Sequence, residues 1–199
     1  MTTITIPDGN TISVTSFDNN SYLVQANTQL VIANGGIVSG LITVTGNPAG
    51  RGGGNLEVQS GGTALNTIVS SGGYTRVSGA ALNTTISSGG NLEVDAGGSA
   101  LTTVVSSAGN MYQASGGYVS GLTVSRGGQV QIGGTATAIV DNGGGDSVLS
   151  AGTAVGTTVV NGGSEYVNAG GVASGTVVSG GNQFVKPLDD IEITAISSV

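Results

Sequence analysis

The chain has 199 residues and a formal net charge of −7, with Gly at 38 positions, charged residues at only 8%, and no Cys, His or Trp. This composition excludes disulfides, Cys or His metal sites, and acid–base chemistry by imidazole. Four cations (Arg51, Arg76, Arg126 and Lys186) are too few for a nucleic-acid surface, and no apolar run approaches the ~18 residues of a membrane span.

Taken in chain order, residues 1–20 depart from the pattern that follows and are expected to cap a stack. They have neither the basic region nor the apolar region of a classical signal peptide. A weak coil is expected near Gly9, with Ile12 and Val14 inward. A clearer one begins near Thr28, where TQLVIANGG matches the later GNLEVQSGG. An insertion, NPAGRGG at residues 47–53, is expected to form a surface loop. Seven full repeats then run between the anchors Gly54, Gly73, Gly90, Gly109, Gly128, Gly145, Gly163 and Gly181, at spacings of 17–19 residues. Lys186 and Pro187 stop the pattern, and one more strand is expected around Ile191 and Ile193. The organisation is therefore a cap and first irregular coil over residues 1–27, a repeat body over 28–185, and a C-terminal cap or linker over 186–199.

Columns within the repeat set the inside and the outside. Two places after each anchor stand Leu56, Thr75, Leu92, Met111, Val130, Ser147, Glu165 and Gln183. Four places after stand Val58, Val77, Val94, Gln113, Ile132, Leu149, Val167 and Val185. Between them lies an outward column of Glu57, Arg76, Glu93, Tyr112, Gln131, Val148, Tyr166 and Phe184. Alternation with period two predicts a strand with one buried face. The first column decays toward the C-terminus, where Glu165 and Gln183 are poor core residues.

In the second half of each repeat, a small-residue column (Ala64, Ala81, Ala100, Val119, Ala136, Ala154, Ala173) precedes a corner rich in Asn and Gly. A second strand follows, whose inward residues are expected to be Val69, Ile86, Val105, Val124, Val159 and Val178, interrupted by Asp141. Its alternate column (Ile68, Thr85, Val104, Thr123, Val140, Thr158, Val177) is nearly as apolar, so the parity stays open. A repeat this short buries its face only by stacking on copies of itself. The expected fold is all-β: a parallel β-helix, or β-solenoid, of roughly nine coils of 17–19 residues, forming a rod ~45 Å long.

The unit GGNLEVDAGGSALTTVVSS (residues 89–107), with GGTALNTIVSS and GGVASGTVVSGG, resembles the AIDA-type repeat of bacterial autotransporter adhesins over residues 28–185. The resemblance implies a right-handed helix displayed outside the cell for adhesion, self-association or biofilm formation. It also implies heptose on Ser and Thr, added by a dedicated transferase, for which Thr85, Thr123 and Thr158 are the candidate O-glycosylation positions. Neither the long signal sequence nor the translocator barrel of that family is expected within residues 1–199. Similar repeats behind an MTTITIPDG-like start also look like the front parts of bacterial proteins carrying a Hint-type self-splicing domain.

Candidate chemistry is sparse. Glu57, Glu93 and Asp95 come from neighbouring coils and could in principle form a glycosidic carboxylate pair, but Arg76 lies between the two Glu coils and suggests an exposed charge ladder instead. GGGD at residues 143–146 echoes half of one calcium-binding repeat, and Asp146 is expected in a turn. The Thr85, Thr123 and Thr158 column is too mixed for an ice-binding array. The outward aromatics Tyr112, Tyr166 and Phe184 are candidate surface contacts, expected to be separated along the rod. Neither enzymatic activity nor a cofactor is expected. The expected function is an extracellular or bacterial-surface adhesive module. Its partner is a second copy or a cell-surface glycan or protein. The alternative is a carbohydrate-binding or carbohydrate-active solenoid with a carboxylate site.

Overall fold

The computed structural model describes residues 2–46 and 52–187. The expected strand around Ile191 and Ile193, and residues 47–51 of the insertion, lie outside them. Two parallel sheets form the described molecule, and every strand pairs with its counterpart one coil away. The ten-stranded sheet stacks Thr11–Val14, Gln29–Ile32, Asn55–Val58, Tyr74–Val77, Asn91–Val94, Asn110–Gln113, Gln129–Ile132, Gly145–Val148, Ser164–Val167 and Asn182–Val185. Ten rungs make nine steps of ~4.8 Å, a rod ~43 Å long. The thirteen-stranded sheet carries the other half of each coil, from Thr3–Thr5 through strands such as Ala80–Ile86 and Tyr118–Ser125 to Val177–Ser179. The protein is an all-β parallel β-solenoid, as its repeat predicts.

The N-terminal stretch joins the stack. Thr11–Val14 is the first rung of the ten-stranded sheet, with Ile12 opposite Leu30 and Val14 opposite Ile32. The insertion leaves the rod at an antiparallel bridge between Gly46 and Gly53, which pinches its base.

Apolar side chains from both sheets fill the bore as one continuous cluster, including Leu30, Leu56, Val94, Ala100 and Ile132. The small-residue column is buried: Ala81 pairs with Ala64 and Ala100, and all three are in the core. The Asn-rich corner is a left-handed turn, with φ of 56° at Asn83, 56° at Thr102 and 53° at Ala138. The parity left open by sequence is resolved: Val69, Ile86, Val105 and Val124 are buried, and the Ile68 column faces out. A second inward ladder accompanies them, in which Ile42, Thr67, Thr84, Thr103, Leu122 and Ile139 stand in register.

One expected anchor is wrong by a residue. Gly145 pairs with Gln129, so it sits one place after the anchor, and the anchor is Gly144. The cause is the run of three glycines. Gly143 takes the left-handed position (φ 76°) that Gly127 occupies one coil earlier (φ 79°). The slip inverts four assignments, because a one-residue shift moves every side chain to the opposite face. Asp146 and Val148 point inward in register with Val130 and Ile132, while Ser147 points outward beside Gln131 and Leu149 leaves the core column.

Candidate functional site

The two outer faces differ in charge. On the thirteen-stranded sheet, every strand from Ser21–Val24 to Val177–Ser179 lacks an exposed charged side chain; Asp141, the single acidic or basic residue among them, is fully buried. This face presents Ile68, Val104 and Val140 alternating with Thr85, Thr123 and Thr158. A neighbouring column adds Leu82 and Leu101, both half-exposed. Thr85 is exposed, and Thr123 and Thr158 are half-exposed. The three candidate glycosylation sites are therefore in line, two coils apart, on one uncharged face.

Charges gather on the ten-stranded sheet and its flanking turns. Glu57, Arg76 and Glu93 occupy successive rungs, as expected. Their ion pairing differs from the expected ladder, because Arg76 reaches sideways to Asp95, with Nε 2.9 Å from the carboxylate. Glu57 instead accepts from Gln29 and Gln59 at 3.2 Å each. Glu93 accepts the Tyr74 hydroxyl. Burial, with Glu93 beside it, pushes the Tyr74 phenol up to about 12. Glu57, Glu93 and Asp95 are each engaged in separate contacts, so the structure does not assemble them into a carboxylate pair.

The aromatics are less separated than the sequence suggests. Tyr166 and Phe184 occupy adjacent rungs and stack, with centroids 4.9 Å apart and planes 14° apart. Tyr112 stands three rungs before Tyr166, with Gln131 and Ser147 between them. A groove of about 740 Å³ runs along this stretch, bounded by Tyr74, Tyr112 and Tyr166, with Gly145 and Ser147 among its lining residues. Tyr74 and Gly145 were missed by sequence reasoning. The signal was present as the smallest residue in an outward column, but it becomes legible only in the corrected register.

The same register places acids in the bore. Asp141 (0% exposed), Asp146 (1%) and Glu165 (0%) form an interior group near the C-terminal end. Asp146 is thus a core residue and not the expected turn residue, and Glu165 is buried despite its charge. Glu165 accepts from Gln183 Nε2 at 2.6 Å and from Thr176 Oγ1 at 3.0 Å. Both Asp146 carboxyl oxygens are buried without a hydrogen-bond partner. Burial pushes Asp146 up to about 8, and the Glu165 and Asp141 charges add to the effect. Burial likewise pushes Asp141 up to about 6, against the pull of backbone N–H groups. Among the described residues no group of three acidic side chains is placed to hold a metal ion.

No family model and no curated protein matches the chain. Among solved structures it is similar to a hyper-glycosylated fragment of TibA whose glycosylation is catalysed by TibC, with 24% identity, 92% of each chain covered and a TM-score of 0.36. The functional reading therefore rests on the chain's own surface.

Proposed function

We propose that this protein is an adhesive structural rod of the bacterial surface or extracellular space, acting by lateral packing against a second copy of itself rather than by catalysis. The observation that carries this reading is the uncharged outer face of the thirteen-stranded sheet from Ser21–Val24 onward. Like-charge repulsion opposes association of a chain with net charge −7, and it is smallest where no charge is exposed. A second rod carries the same ladders at the same ~4.8 Å spacing, so aliphatic and Thr columns align over many rungs at once. Exposed Ile68 and Val140 supply apolar area in that contact. The resemblance of the repeat to autotransporter adhesins supports the same reading. Sugars on Thr85, Thr123 or Thr158 would stand in the middle of this face and replace flat packing by contacts between glycans.

Analytical ultracentrifugation from micromolar to near-millimolar concentration tests the proposal. Reversible oligomers that survive moderate salt are expected. Val104→Lys with Val140→Lys should leave a monomer, while Gln131→Lys, the same kind of charge on the other sheet, should still associate. A strict monomer at all concentrations would overturn pairing with a copy and leave a surface glycan or protein as the occupant of this face.

A further inference from the structure

The groove on the ten-stranded sheet is a gap in an otherwise regular ladder. Its two outward columns run Asn110, Gln129, Gly145, Ser164 and Tyr112, Gln131, Ser147, Tyr166. The rung holding Gly145 and Ser147 has the smallest side chains of either series, so a notch opens between Gln131 and Tyr166. The space at Gly145 is open: a Cβ added there would meet only the Ser164 carbonyl oxygen, at 3.8 Å.

Tyr166 faces this notch with a fixed ring. It stacks on Phe184 one rung away, with centroids 4.9 Å and planes 14° apart. Phe184 covers one face of Tyr166, and Tyr166 lines the groove on the rung next to Ser147. Tyr112 closes the far side three steps away, about 14 Å. The hydrogen-bonding groups between the two tyrosines are neutral amides and hydroxyls: Asn110, Gln129, Gln131, Ser147 and Ser164. Among the described residues, no Lys or Arg lines the groove. Of its two acidic residues, Glu93 is held by the Tyr74 hydroxyl and Asp146 is buried.

We propose that this groove binds an uncharged carbohydrate chain, with one sugar ring stacked on the free face of Tyr166 and its hydroxyls taken by the flanking amides and serines. The volume of about 740 Å³ falls within the ~300–1,000 Å³ typical of small-molecule sites. A stiff aromatic platform beside several donor–acceptor groups suits a ligand that has an apolar ring face and a polar rim. The absence of a cation from the lining and the net charge of −7 disfavour sulfated, phosphorylated or sialylated chains. The site lies on the opposite sheet from the association face, so it stands or falls independently of lateral packing.

The test is titration calorimetry of the whole chain with hexasaccharides of cellulose, starch, mannan and xylan, and with a heparin hexasaccharide as the anionic arm. Saturable binding of at least one neutral oligomer is expected, with none of the heparin fragment. Tyr166→Ala and Gly145→Gln should each weaken binding by about tenfold or more, the first by removing the platform and the second by filling the notch. Tyr118→Ala, on the other sheet, should bind as the parent does. Should Tyr166→Ala fail to fold, Gly145→Gln decides alone, since its side chain enters open space. Failure of all four neutral oligomers at low millimolar concentration, equal binding of heparin, or undiminished binding by the folded Gly145→Gln variant would overturn the proposal.

Discussion

Tyr166 and Phe184 stack at the spacing of the solenoid itself, 4.9 Å between centroids, so two exposed side chains of adjacent coils extend the regularity of the backbone outward. Such pairs contribute ~0.5–1.5 kcal/mol beyond area burial. Phe184→Ala should cost about that much in urea denaturation and leave Tyr166 free to change rotamer. A more intense, more mobile Tyr signal in NMR of the variant would confirm the coupling, and an unchanged melt would show the stack to be idle.

The same new side chain should have opposite consequences on the two faces. Val94 is fully buried between Val77 and Gln113, and Val94→Asp places a carboxylate in the bore at a cost of several kcal/mol. Thr85 points outward, and Thr85→Asp should change stability by no more than ~0.5 kcal/mol. Equal melting temperatures for the two variants would contradict the assigned inside and outside.

Glycine is required at Gly98, in the turn just before Ser99–Val105, and dispensable at Gly145 in the groove. A Cβ at Gly98 would lie 2.1 Å from the Val77 carbonyl oxygen, whereas at Gly145 the nearest atom is 3.8 Å away. Gly98→Ala should therefore destabilise strongly, by more than ~2 kcal/mol, because a backbone atom must move. Gly145→Ala should be nearly silent in a thermal melt.

Stability should rise as pH falls through neutrality. Asp146 titrates near 8 and Asp141 near 6 in the folded chain, both raised from an ordinary value of 3.8. A raised carboxyl favours folding fully below about pH 4, and that contribution is lost as pH climbs through the folded values of about 6 and 8. Asp18 acts in the opposite sense. Hydrogen bonds from the Tyr22 hydroxyl and the Asn20 N–H hold it below the usual carboxylate range, so its contribution is lost as pH drops further. The optimum should fall at or just below about pH 4, well below neutrality. Asp146→Val, which continues the Val130 column, should raise stability at pH 8 by several kcal/mol and flatten the profile. Melting temperatures measured from pH 4 to 9 for parent and variant check both statements.

The solenoid was legible because stacking turns a sequence repeat into spatial columns: Val58, Val77 and Val94 recur in sequence and touch in space. Legibility failed where local signals were degenerate. The Gly143–Gly144–Gly145 run offers more than one anchor, and the strand period of two converts that ambiguity into a choice between Asp146 and Ser147 as the core residue. The second strand carries β-branched residues on both faces, so Thr67, Thr84 and Thr103 could not be identified as inward without coordinates. The groove depends on the corrected register, because only there does Gly145 stand between Gln129 and Ser164.

The uncharged face can be tested most directly by spin labels, since the chain has no native Cys to compete for the label. Thr123→Cys places a label at the centre of the thirteen-stranded face, and Gln131→Cys places one on the ten-stranded sheet. Double electron–electron resonance across a concentration series should give a short intermolecular distance at position 123 that grows in amplitude with concentration, and a weaker, longer one at 131. No concentration-dependent coupling at 123, or a stronger coupling at 131, would contradict lateral association through this face.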